Sequence, residues 1–209
     1  MRRQIIYFTF LLIFIISCQD KDNKTVTTRD SMQTREQKQE QLPDQTKTKE
    51  ETRQVKPLKI EIKSTAFKDS GMIPVKYTCK GDNISPPISI STNAPDVKSF
   101  AIICEDPDAP SGLVVHWVIY NIPVDATELK ENIPSLKILD NGATQGINTS
   151  KKNGYMGPCP PSGTHRYFFK LYALDATFNI NDATRDELLT AMKGHILAET
   201  QLMGKYRKE

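Results

Sequence analysis

Residues 57–209 predict a mainly β fold, a β-sandwich with short C-terminal helices. Three observations carry this reading. Runs of strand length, rich in aromatic and β-branched residues, recur through the middle of the segment. Clusters of Pro and Gly separate them and stop regular structure. Helical spacing of apolar residues appears only near the end, so strands come first and helices last instead of alternating.

The chain opens with Arg2 and Arg3, followed by the apolar run 5–16 (IIYFTFLLIFII). A helix of that length spans roughly 18 Å, well short of the roughly 30 Å bilayer core. A basic start and a short apolar stretch form the pattern of a signal peptide, not of a permanent span. The run ends in Ile15-Ile16-Ser17-Cys18, which resembles the bacterial lipobox, whose cysteine is lipidated and becomes the new N-terminus. Residues 1–18 are therefore expected to be a lipoprotein signal, with Cys18 as the lipidated residue. Segment 19–56 contains no aromatic residue and few large apolar ones. It cannot bury enough surface to offset its ordering entropy and is expected to be a disordered tether. As a flexible coil it would hold the following domain about 35 Å from the bilayer.

Within 57–209, Leu58, Ile60 and Ile62 alternate with Lys59, Glu61 and Lys63, the period of a half-buried strand. Residues 100–104 form a continuous apolar run, and 114–122 (VVHWVIYNI) and 167–174 (YFFKLYAL) have strand composition. Turns are expected at Gly81-Asp82-Asn83, at Pro86-Pro87, over 106–112 and over 154–163. Thr184-Arg185-Asp186-Glu187 matches a capping box ahead of Leu188, Leu189 and Met192. One helix is expected there, ended by Gly194, and a second over 195–206. Trp117, Phe168, Phe169 and Tyr172 read as core aromatics, and Cys104 as a buried core thiol. With Cys18 taken by lipid, an odd number of cysteines remains. Cys79 and Cys159 lie near turns and could pair, but spacing does not supply the geometry a bridge requires, and the unpaired state is the preferred reading.

Two loops concentrate the possible chemistry. Asp106-Pro107-Asp108-Ala109-Pro110-Ser111 follows an apolar strand and forms a stiff acidic corner, because each proline fixes its own φ and restricts the residue before it. Loop 154–167 (GYMGPCPPSGTHRY) combines glycines, which permit close backbone approach, with prolines, which lower the entropy cost of holding the loop ready. His116 and His165 offer imidazole nitrogens to phosphate oxygens, and Tyr167 offers a hydroxyl. An Asp beside a phosphate repels it unless a histidine bridges the two. Arg166 reads as a structural partner of the acidic corner.

These segments, DPDAPS, HWVIYNIP and GYMGPCPPSGTHRYFFKLYALD, resemble the signature segments of the phosphatidylethanolamine-binding protein family, in particular its bacterial and archaeal, Raf kinase inhibitor-like branch. YTCKGDNISPPI and KGHILAETQLMGKY resemble the same branch, so the likeness covers about 57–209. The resemblance implies a β-sandwich with a small anion cavity at one end. Asp106, Asp108 and His116 would form one wall of it, and Gly157, Cys159, Pro160, His165 and Tyr167 the other. Val114 stands where some eukaryotic members carry tryptophan, so specificity for phosphatidylethanolamine itself is not implied. Without the resemblance, His116 would read as a satisfied core histidine.

The function expected from this is non-enzymatic capture of a phosphate-like small molecule or phospholipid head group by a domain tethered outside the cytoplasm, in a bacterial cell envelope. A protein-interaction module that inhibits or modulates a protease or kinase is the alternative, and a weak hydrolase a third reading. Ser111 and Ser162 lie near the histidines in sequence, yet neither sits in a GxSxG elbow. No metal or other cofactor is expected, since the Asp and His residues lack the compact spacing of an HExxH or paired CxxC site. The net charge of +3 resides in the first 56 residues; the domain carries as many Asp and Glu as Lys and Arg. A neutral domain lacks the Lys/Arg excess that releases counterions from nucleic acid, which argues against DNA or RNA as partner.

Overall fold

The computed structural model describes residues 58–208. The expected signal, the Cys18 lipidation site and the 19–56 tether lie outside the described residues.

The first strand, β1 (Ile60–Lys63), is followed by the two-residue β2 (Gly71–Met72) and a 3-10 turn over Val75–Tyr77. Next come β3 (Ile88–Thr92), β4 (Ser99–Asp106), β5 (Val114–Pro123) and the short β6 (Glu128–Leu129) and β7 (Thr144–Gln145). β8 (Thr164–Leu174), α1 (Arg185–Met192) and β9 (Ile196–Arg207) complete the order. The strands form two sheets: a small one in the order β1-β3-β6 and a large one in the order β2-β9-β8-β4-β5-β7. The core between them is made of alternate residues: Ile60, Ile62, Ile88 and Ile90 from the small sheet, against Phe100, Ile102, Trp117, Phe169 and Leu171 from the large one.

The other face of the large sheet is covered too. Ala101, Ile103, Val118 and Tyr120 pack there with Leu188 and Met192 of α1. Strand β4 is consequently buried at every position. That explains why its sequence is a continuous apolar run rather than an alternation. Helix α1 begins with the expected capping box: the Glu187 backbone N–H donates to the Thr184 hydroxyl, and the Thr184 N–H to the Glu187 carboxylate at 2.9 Å. Gly194 follows the helix at φ 84°, a backbone angle that favours glycine. α1 is further fastened to the sheet through Glu105, a β4 carboxylate that pairs with Lys170 and, at 2.7 Å, with Arg185.

Two expectations are corrected. Residues 195–206 do not form a second helix. His195 lies in the turn after the helix, and the rest belong to β9, which pairs antiparallel with β8 from Thr164↔Arg207 to Leu174↔Ile196. Leu, Ala, Glu, Gln and Met make the segment look helical, but a long strand partner and burial of Leu202, Gly204 and Tyr206 on one face override that weak propensity. Gly204 is the local clue, because a Cβ there would come within 2.5 Å of the Ile73 side chain, a close approach that only glycine allows in a strand. The second correction is the cysteine pair: Cys79 and Cys159 form a disulfide across 80 positions of sequence, with Cα atoms 5.4 Å apart. Cys104 is buried and unpaired, as expected.

Candidate functional site

Antiparallel pairing brings distant residues to one edge of the large sheet. β4 lies between β5 and β8, so its C-terminal end meets their N-terminal ends. Asp106 closes β4 and pairs with Val114 at the start of β5. His116 is two residues further along β5, and His165 is the second residue of β8. The two Gly/Pro loops rise from this edge and enclose a cavity of about 310 Å³. Asp106, His116, Gly157, Cys159, Pro160 and His165 all line it. The remaining wall is largely apolar or small and includes Ala109, Pro110, Val114, Met156 and Pro161, with Ser111.

Both histidines are buried, and each has one ring nitrogen committed. His116 Nδ1 donates to the Met156 carbonyl at 2.6 Å. His165 Nδ1 donates to Asp106 Oδ2 at 2.8 Å. A carbonyl or an ionised carboxylate can only accept, so the Nδ1 atoms carry the protons, and the Nε2 atoms are the nitrogens left for the cavity. Burial pushes the His116 pKa below its ordinary value of 6.5, against opposing contributions from the Met156 carbonyl and the Asp106 charge. The free site therefore favours neutral His116. Asp106 is fixed from both sides, since its Oδ1 accepts from the Asp108 N–H at 2.8 Å.

Two residues expected in the walls sit elsewhere. Asp108 is not part of the cavity lining. Its Oδ2 accepts from the Arg166 backbone N–H and Nε, both at 2.9 Å, and its Oδ1 from Nη2 at 2.6 Å. The Arg166 guanidinium holds the Asp108 carboxyl down at about 2. Arg166 thus plays the structural part expected of it, tying the acidic corner to β8 and lying over the Phe168 ring. Tyr167 is wholly buried and is not part of the cavity lining, but stands edge-on to His116 with ring centroids 5.1 Å apart. Its hydroxyl has no hydrogen-bond partner within bonding geometry, although burial and the nearby Asp106 charge push its pKa far up.

The 154–163 loop is held by several independent ties. The Gly157 N–H donates to Asn83 Oδ1 at 2.8 Å, and the Tyr155 hydroxyl to the Tyr77 carbonyl at 3.1 Å. The Cys79 N–H donates to the Pro158 carbonyl at 3.1 Å, beside the disulfide. Gly157 is required here, because a Cβ would stand 2.6 Å from Asn83 Oδ1 and 2.7 Å from the Tyr77 carbonyl oxygen. Sequence reasoning missed Asn83 and Met156. Asn83, at φ 55°, is legible as a turn residue, but nothing in the spacing marks its amide as the clamp on a loop 74 positions away. Met156 is an apolar residue in a turn, and its packing appears only in three dimensions.

Comparison with known proteins agrees with this architecture. A UPF0098 protein of Methanothermobacter thermautotrophicus is 52% identical over 150 residues, covering 71% of this chain and 99% of its own. A UPF0098 protein of Chlamydia muridarum is 42% identical over 156 residues, covering 72% of this chain and all of its own. Among solved structures, a phosphatidylethanolamine-binding protein homologue from Chlamydia trachomatis superposes with a TM-score of 0.67 at 41% identity, over 72% of this chain and 98% of that one. E. coli YbcL, described as a member of the mammalian PEBP family, gives 0.65 at 27% identity, over 72% and 99%. The family model described as phosphatidylethanolamine-binding protein matches residues 63–207. With the fold and this family match in agreement, the chain belongs to the phosphatidylethanolamine-binding protein family.

Proposed function

We propose that the domain is a non-enzymatic binding module that captures a phosphate-like group, free or on a phospholipid head group, and that a lipid on Cys18 tethers it to a membrane of the cell envelope, facing outside the cytoplasm. The observation that carries the reading is the matched pair of imidazoles. His116 from β5 and His165 from β8 each commit Nδ1 to the protein and leave Nε2 for one small cavity. Protonated on both nitrogens, such rings donate charge-assisted hydrogen bonds to phosphate oxygens. The bond from Nδ1 to Asp106 Oδ2 orients the His165 ring. The apolar remainder of the wall excludes water and strengthens these bonds.

Binding rather than catalysis is supported by the fate of the loop's donors. The Gly157 N–H, a backbone group of the kind that serves oxyanion holes, is consumed by Asn83. The Cys79–Cys159 disulfide supports export, since such bridges persist in oxidising compartments. The test of the cavity is calorimetric titration with ethyl phosphate. The parent should bind, and a His116→Ala/His165→Ala double variant should lose at least about tenfold in affinity, about 1.4 kcal/mol. Equal affinity in the two proteins overturns the reading. For the anchor, radiolabelled palmitate should be incorporated into the parent expressed in bacteria and not into Cys18→Ala; equal labelling of both refutes the assignment.

A further inference from the structure

Beside the anion cavity lies a second depression of about 540 Å³ whose lining differs in kind. Asn83, Ser135, Asn148, Ser150, Lys152 and Asn153 supply its polar surface. Met156 lines both hollows: its carbonyl accepts from His116 of the cavity, and its sulfur from Ser150 of the groove. Asn83 adjoins both as well, lining the groove while its Oδ1 accepts from Gly157 of the cavity wall.

We infer that this groove is a second half of the binding site, and that it accepts the hydroxyl-bearing part of a phosphorylated polyol or sugar whose phosphate occupies the His116–His165 cavity. The inference rests on the proposed function of that cavity and narrows its ligand class. Its warrant is the hydrogen-bonding capacity that the fold leaves unspent. Asn83 uses Oδ1 on Gly157, which leaves its Nδ2 as donor. Asn153 spends Nδ2 on the Gln145 and Gly146 carbonyls and on Asp182, which leaves its Oδ1 as acceptor. Asn148 is largely committed: its Nδ2 donates one N–H to Gly154 O, and its Oδ1 accepts from the Ser150 and Lys152 N–H groups. It therefore acts as a brace that shapes the groove. The Ser135 hydroxyl and the Lys152 ammonium, both on exposed residues, complete a mixture of donors and acceptors.

Such a mixture matches vicinal hydroxyls, each of which both donates and accepts. It suits neither an acyl chain, which would leave these groups desolvated and unpaired, nor a second phosphate, for which one lysine is a poor match. Met156 fits its place between the two hollows. Three rotatable bonds let the side chain yield to a ligand crossing between the hollows, and in the free protein its sulfur accepts a hydrogen bond from the Ser150 hydroxyl at 3.0 Å.

The experiment titrates the full chain calorimetrically with ethyl phosphate, myo-inositol 1-phosphate and dihexanoyl phosphatidylinositol. A net hydrogen bond is worth a few-fold in affinity, so two or three give roughly tenfold. The inositol compounds should bind at least about tenfold more tightly than ethyl phosphate, and Ser135→Ala/Lys152→Ala should abolish that advantage while leaving ethyl phosphate binding within about twofold. Amide chemical shifts supply a readout independent of the variant: inositol phosphate should move Ser135 and Asn153, whereas ethyl phosphate should move only residues around the cavity. Preference for the lipid form assigns a head group, and equal or tighter binding of the soluble form assigns a free phosphate; either supports the inference. If ethyl phosphate binds and the inositol compounds gain nothing, the groove assignment is overturned while the cavity reading stands. If no phosphate binds at all, both fall.

Discussion

Replacing Cys79 and Cys159 together by serine separates what the disulfide does for stability from what it does for the site. The bridge closes a loop of 80 residues. In the chain-entropy description, releasing such a loop in the unfolded state costs about 4.5 kcal/mol of stability at 25 °C, within the 2–5 kcal/mol that native bridges usually contribute. For a domain of about 150 residues, each kcal/mol moves Tm by about 2–4 °C, so Tm should fall by roughly 9–18 °C. The loop geometry should nevertheless survive. The Gly157–Asn83 bond, the Tyr155–Tyr77 bond and the Cys79–Pro158 backbone bond join the same two segments without help from sulfur. Affinity for ethyl phosphate at 25 °C should therefore change by less than about threefold, or about 0.7 kcal/mol. Cys104 does not complicate the measurement, because it is buried and burial pushes its thiol well above the usual pKa. Scanning calorimetry and isothermal titration of the parent and the double variant decide the matter. A stability loss under about 1 kcal/mol would refute the loop-entropy argument. A collapse of affinity in a still-folded variant would show that the three remaining bonds do not hold the wall.

Glu105→Ala should cost about 2–3 kcal/mol in urea unfolding, less than the full cost of breaking a buried pair, because Lys170 and Arg185 keep part of their solvent contact; a loss under about 0.5 kcal/mol would contradict the role given to Glu105 in fastening α1 to the sheet. Asp108→Ala should leave phosphate affinity within about threefold, since Asp108 faces Arg166 and not the cavity; titration showing a tenfold loss would return it to the binding wall. Folding lowers the His116 pKa, so the unfolded chain binds this proton more tightly than the folded one. The contribution of His116 to stability should be complete above pH 6.5 and shrink as pH falls through that value, a slope that urea titrations should find reduced in His116→Gln. An anion draws the proton back onto the ring, so affinity for sulfate, whose charge is constant from pH 5 to 8, should rise as pH falls over that range; affinity independent of pH would count against protonated histidines as the donors.

The sequence alone determined the mainly β class, the places of β4, β5 and β8, the capping box of α1, and the two loops that border the cavity. Each of these is written in local signals: periodicity, β-branched and aromatic runs, Pro and Gly punctuation, a four-residue cap. The motif resemblance reached further and placed His116, His165 and Asp106 together, which the fold does by setting β4 between β5 and β8. The tertiary structure alone decided that 196–207 is a strand, because β8 supplies a ladder that outweighs a propensity difference of well under 1 kcal/mol per residue. It alone joined Cys79 to Cys159 and turned Asp108 toward Arg166. It also buried Tyr167 against His116 and set Asn83 against Gly157. Those outcomes depend on distances between segments 22 to 80 positions apart, and no local pattern encodes such distances.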